Sequence, residues 1–84
     1  MDKANAYKII KAIRSEAEIE QINKSIPLSD KSKASVSYKR IVDLTRVPYL
    51  KIEYKEMLLY FPAYLFNEWD DNKIAEEILE AFEE

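Results

Sequence analysis

The residues with the most evident chemistry are cations. Lys31, Lys33, Lys39, Arg40, Arg46, Lys51 and Lys55 fall in a stretch whose only acids are Asp43 and Glu53, so residues 31–55 carry a net charge of +5. Ser35 and Ser37 lie among them. Cations at this density supply the attraction to a nucleic-acid backbone, and hydroxyls add hydrogen bonds to phosphate oxygens. A merely solvated lysine face is the ordinary alternative.

A second concentration has the opposite sign. Residues 56–84 carry nine acids against the single Lys73, a net charge of −8, while residues 1–30 balance to zero. Glu76, Glu77, Glu80, Glu83 and Glu84 would form a charged row on a C-terminal helix and suit a basic protein partner. A cationic centre joined to an anionic end suggests two surfaces with different partners, or two ends that neutralise each other across the fold.

Other chemistry is narrowly bounded. The 84 residues include no glycine, no cysteine and no histidine. There is therefore no Gly-rich phosphate loop, no thiolate or imidazole ligand for zinc, and no Ser-His or Cys-His nucleophile pair. Acid–base work would fall to Asp, Glu, Lys or Tyr alone, so no enzyme is expected and no cofactor is implied. Glu16, Glu18 and Glu20 read as surface acids, and Asp70-Asp71-Asn72 is too short for a calcium loop. Most of the six tyrosines fall on faces that read as buried. Tyr49 and Tyr60 are different: with Lys51 they share the outer face of a hairpin, where aromatic rings can stack on bases.

These groups need elements to position them. Ala6, Ile9, Ile10, Ile13 and Ala17 recur at helical spacing, which predicts a first helix over 4–14. Ser15-Glu16-Ala17-Glu18 has the form of a capping box and predicts a second helix carrying Ile19, Ile22 and Ile26. One bent helix is the competing reading. Pro27 ends this region, and Ser29 or Asp30 can cap the next element. Residues 31–46 fit either period. A helix groups Ala34, Tyr38, Ile41, Val42 and Thr45; a strand alternates Val36, Tyr38, Val42 and Leu44 but puts Arg40 on the apolar face. The helix is preferred for that reason.

Leu50, Ile52 and Tyr54 alternate with Lys51 and Glu53, and Met57, Leu59 and Phe61 form a second run. A turn centred on Lys55-Glu56 pairs Tyr54 with Met57, Ile52 with Leu59 and Leu50 with Phe61, all on one face. A two-residue primed turn suits Lys-Glu poorly, so a looser four-residue turn in the same register is the alternative. Tyr64, Leu65, Phe66 and Trp69 come after Pro62 as an aromatic cluster. Asp70 or Asp71 then caps a last helix with Ile74, Ala75, Ile78, Ala81 and Phe82 on its apolar stripe.

The resulting order, helices then hairpin then helix, is that of a small winged helix-turn-helix domain. Ser35-Val36-Ser37-Tyr38-Lys39-Arg40-Ile41-Val42 resembles the start of a recognition helix. Val47-Pro48-Tyr49-Leu50-Lys51-Ile52 resembles the wing entry of excisionase-like and MerR-like domains, and Phe61-Pro62 with Trp69 resembles the wing exit. The likeness covers about residues 29–70. The chain departs from it in lacking a wing-tip glycine and in placing Pro27 between the second and third helices. The resemblance implies double-stranded DNA binding, with Ser35, Ser37, Lys39 and Arg40 at the major groove and Lys51 and Lys55 reaching phosphate from the wing.

The expectation is thus one α+β domain over residues 1–84, a winged helix-turn-helix variant; the alternative is a three-stranded antiparallel sheet flanked by N- and C-terminal helices. The leading function is a DNA-binding regulator or recombination directionality factor, using Lys31, Lys33, Ser35, Ser37, Lys39, Arg40, Arg46, Lys51 and Lys55. The alternative is a small acidic phage-type inhibitor, like anti-CRISPR proteins, occluding a basic partner through Tyr49, Tyr60, Glu76, Glu77, Glu80 and Glu83. Ile74, Ile78 and Phe82 could build a homodimer. No long apolar run stands behind the first residues, so neither signal peptide nor membrane span is expected. The lack of cysteine fits a cytoplasmic setting.

Overall fold

The computed structural model describes residues 1–40 and 47–83. Helix α1 spans Lys3–Arg14 and is capped by Asp2, whose carboxylate accepts from the Asn5 amide at 2.9 Å. Ala6, Ile9, Ile10 and Ile13 form its buried stripe. The helix stops at Ser15, whose amide donates to the Lys11 carbonyl and whose hydroxyl donates to the Ala12 carbonyl. Ser15 therefore ends the first helix and does not cap a second. The expected second helix is reduced to one 3₁₀ turn at Ile19–Gln21, and Ile22 and Ile26 enter the core from extended chain.

Four strands come next: β1 Asn23–Pro27, β2 Lys33–Lys39, β3 Tyr49–Tyr54 and β4 Met57–Pro62. They form one antiparallel sheet in the order β1-β2-β3-β4. The helix expected over 31–46 is thus a strand over Lys33–Lys39, which pairs Val36 with Lys24 on one side and with Ile52 on the other. The objection to a strand came from Arg40, and β2 ends one residue before it. The remainder of that segment, with Ile41, Val42, Leu44, Thr45 and Arg46, lies outside the described residues. Four strands replace the three of the alternative sheet. A helix-turn-helix has neither its second nor its recognition helix among the described residues.

The β3–β4 hairpin has the expected register: Tyr54 opposite Met57, Ile52 opposite Leu59, Leu50 opposite Phe61. Its turn is the tight two-residue one, with Lys55 at φ 56. Trp69 and Phe66 pack edge-on against Phe61, at 6.0 and 5.4 Å between ring centroids. Helix α2, Leu65–Glu68, leads into α3, Asp71–Ala81, where Asp70 accepts from the Lys73 amide at 2.8 Å. Arg14 ties α1 to this region. Its guanidinium donates to the Asp71 carboxylate and to the Phe66 and Trp69 carbonyls, and lies over the Phe66 ring.

One face of the sheet and the helices enclose a single core. Ala34, Val36, Leu50, Ile52, Tyr54 and Phe61 meet Ile9, Ile10, Ile13, Ile74, Ile78 and Phe82. Ile74, Ile78 and Phe82 are each 0% exposed, so the homodimer drawn through them is not available: these side chains are spent inside their own chain. Buried Asn5 anchors the β1–β2 turn, accepting from the Ser29 amide at 3.0 Å and from its hydroxyl at 2.9 Å. In the same turn Asp30 makes an Asx-type bond to the Ser32 amide at 3.1 Å, in place of the helix cap expected there. Hydrogen bonds from the Ser32 hydroxyl and amide hold the Asp30 carboxyl below the usual carboxylate range.

Lys31, at φ 68, completes this turn in the left-handed region. That conformation costs a residue with a Cβ about 1–2 kcal/mol, and glycine escapes it. Glycine also loosens the unfolded chain by about 0.4–1 kcal/mol. Lys31→Gly is therefore expected to raise stability by up to about 1 kcal/mol, a Tm gain of roughly 4–8 °C per kcal/mol in a domain of this size. A Tm at or below that of the parent in thermal denaturation would show that the turn stores no such strain.

Candidate nucleic-acid interface

A strand sends alternate side chains to opposite faces. In β2, Ala34, Val36 and Tyr38 point to the core, so Lys33, Ser35, Ser37 and Lys39 point away from it. In β3 the outward set is Tyr49, Lys51 and Glu53, and in β4 it is Leu58, Tyr60 and Pro62. The change from helix to strand puts the basic residues on one face. On a helix at 3.6 residues per turn, Lys33 and Lys39 would lie about 120° apart, on different flanks. On β2 they share one face, six residues apart, or roughly 20 Å at about 3.4 Å per residue.

The register sets the pattern across this face. Ser37, Lys51 and Tyr60 form one row, and Ser35, Glu53 and Leu58 the next. Lys39, Tyr49 and Pro62 form a third. Tyr60 is 47% exposed and Leu58 48%. Lys33 and Lys39 are exposed and have no ion-pair partner among the described residues. Lys51 is different: its ammonium meets the Glu53 carboxylate at 3.1 Å. The hydrogen bond and charge of Glu53, with a further contribution from Tyr60, raise the Lys51 ammonium above the usual lysine range.

Lys31 and Lys55 occupy the two turns at one end of the sheet, beside Lys33, and the Lys55 ammonium lies 5.2 Å from the Tyr54 ring centroid. Arg40 comes directly after β2 at the other end. Arg46 lies outside the described residues. The face thus brings Lys33, Ser35, Ser37, Lys39 and Lys51 together with Tyr49 and Tyr60, and leaves Lys31, Lys55 and Arg40 at its rims.

The acids lie elsewhere. Glu76, Glu77 and Glu80 are exposed on α3, and Glu83 is exposed just beyond its end, in the helical layer behind the sheet. Their helical neighbour is α1, which exposes Lys3, Lys8 and Lys11. Lys73 of α3 lies 4.6 Å from the Trp69 ring centroid. Among the described residues, no salt bridge joins the α3 glutamates to the cations of the outer sheet face.

One feature was not legible in the sequence. A cleft of about 490 Å³ opens beside the end of α1, lined by Glu16, Glu20, Tyr38, Tyr64 and Asn67 among others. Its walls come from separate segments, so no local pattern marks it. Glu16 is held by Lys24 at 2.7 Å. Among the described residues no group of three or more His, Cys, Asp or Glu could hold a metal ion, and no helix is long and apolar enough to cross a membrane. Compared with family models, curated proteins and solved structures, the chain matches none.

Proposed function

We propose that this protein binds single-stranded nucleic acid along the outer face of its sheet. The observation that carries the reading is one outward face holding exposed Lys33, Lys39 and Tyr60 together with half-buried Lys51 and Tyr49. Lysines along a strand can track a phosphate backbone, and tyrosines between them can stack on bases without regard to sequence. Ser35 and Ser37 supply hydroxyls to phosphate or sugar oxygens.

Width favours a single strand over a duplex. Four strands about 4.8 Å apart make a sheet roughly 14 Å across before side chains are added. The major groove is about 12 Å wide and admits a helix or a two-stranded ribbon. A sheet face is better matched to splayed bases than to a groove.

The acids on and just after α3 favour a second reading, in which Glu76, Glu77, Glu80 and Glu83 meet a basic protein. Fluorescence anisotropy separates the two. A labelled oligothymidylate of about twelve nucleotides, within the usual span of a single-strand site, is expected to bind at low salt. With three phosphates neutralised, log affinity should fall against log salt with a slope of about −2. A duplex of the same length should bind more weakly. Absence of binding at low salt, or a preference for the duplex, refutes the single-strand reading.

A further inference from the structure

We infer that β4 is a self-association edge, at which two copies pair antiparallel about a two-fold axis to make one continuous eight-stranded sheet. β4 closes one side of the sheet and its run Met57-Leu58-Leu59-Tyr60-Phe61 carries no charge. Natural edge strands are usually blunted by lysine, proline or a bulge. The opposite edge, β1, has such devices in Lys24 and Pro27. β4 has none until Pro62 at its end.

The backbone offers the complementary half. In a two-residue hairpin the residues flanking the turn exchange hydrogen bonds, so Met57, Leu59 and Phe61 bond to β3. Leu58 and Tyr60 then direct their N–H and C=O groups outward. Neither donates or accepts a backbone bond outside the sheet among the described residues. Their side chains are also the exposed apolar groups of the strand, at 48% and 47%.

A second copy fits both features at once. With Leu59 opposite Leu59 of the other copy, Leu58 exchanges two main-chain bonds with Tyr60 of that copy, and Tyr60 does the same with its Leu58. The four exposed side chains then lie side by side on the outer face. Charges agree with this register. Lys51 flanks Tyr60 and Glu53 flanks Leu58, so each row across the seam ends in a lysine on one copy and a glutamate on the other. No like charges are brought together.

The test needs no nucleic acid, so its outcome is independent of the binding reading. Sedimentation across the micromolar to millimolar range is expected to show mass rising from monomer to dimer. A mass that stays monomeric throughout overturns the proposal. Leu58→Pro removes an outward N–H that the hairpin does not use, and is expected to weaken self-association at least tenfold with the circular-dichroism spectrum retained. Undiminished dimerisation of a folded Leu58→Pro overturns the edge. Leu59→Cys tests the register, since this chain has no cysteine of its own. Opposed non-hydrogen-bonded residues sit about 4.5 Å apart between Cα atoms, within disulfide range. Mild oxidation should cross-link Leu59→Cys rapidly and Leu58→Cys slowly. Equal rates, or no cross-link in either, overturn the two-fold register.

Discussion

Phe82→Ala is expected to destabilise the protein by about 3–5 kcal/mol, the range for emptying a buried aromatic site. Phe82 is 0% exposed, and its ring meets that of Tyr54 at 5.6 Å between centroids. It lies at the end of α3 and joins that helix to β3, so its loss opens a cavity between the two layers. A domain of this size has a net stability of roughly 4–13 kcal/mol at about 0.05–0.15 kcal/mol per residue. The substitution therefore removes much of the total. A Tm drop of roughly 12 °C or more is expected, at 4–8 °C per kcal/mol. Phe82→Leu should recover over half of the loss, because it refills most of the volume. The drop should also be independent of protein concentration. A loss appearing only in dilute samples would restore Phe82 to an interface between copies and remove it from the core.

That residue also shows how far the sequence could be read. The stripe Ile74, Ile78 and Phe82 is visible from spacing alone, but spacing does not say whether it faces its own sheet or a second chain. Burial at 0% decides for the sheet. The hairpin was legible down to its register because a one-residue slip would turn Leu50, Ile52 and Tyr54 outward. The two missed strands share a physical source. Ile22 and Ile26 are four residues apart, as are Ala34 and Tyr38, and an interval of four suits a helical stripe and an alternating strand equally. Ser15-Glu16-Ala17-Glu18 added a false helical start, since Ser15 finds its bonds at the end of α1.

The basic set outlived the wrong assignment of its element. Lys33, Ser35, Ser37 and Lys39 are spaced by two throughout, which in a strand is the signature of one shared face. Ala34, Val36 and Tyr38 keep the same period of two on the core face, and Arg40 was what turned the reading towards a helix. Arg40 fell outside the pattern because it falls outside the strand.

The outer face yields the second large effect. The triple variant Lys33→Gln, Lys39→Gln, Lys51→Gln is expected to weaken oligonucleotide binding at low salt by about 100-fold or more. Each ammonium–phosphate contact is a charge-assisted hydrogen bond of roughly 1.5–3 kcal/mol, partly screened at an exposed site. About 1 kcal/mol from each lysine is enough for that loss, since 1.4 kcal/mol is tenfold. The salt slope should fall from about −2 towards zero, because three counterion-releasing contacts are gone. Fold stability should move little: the three side chains lie on the outward face, and only Lys51 makes an ion pair among the described residues. Glu53→Gln should act in the opposite direction, freeing Lys51 and tightening binding. Tyr49→Ala should cost about 1–3 kcal/mol where a base stacks on the ring, with Tyr49→Phe near the parent affinity. Equal binding by the triple variant and the parent would place nucleic acid elsewhere and leave the acidic helix as the working surface.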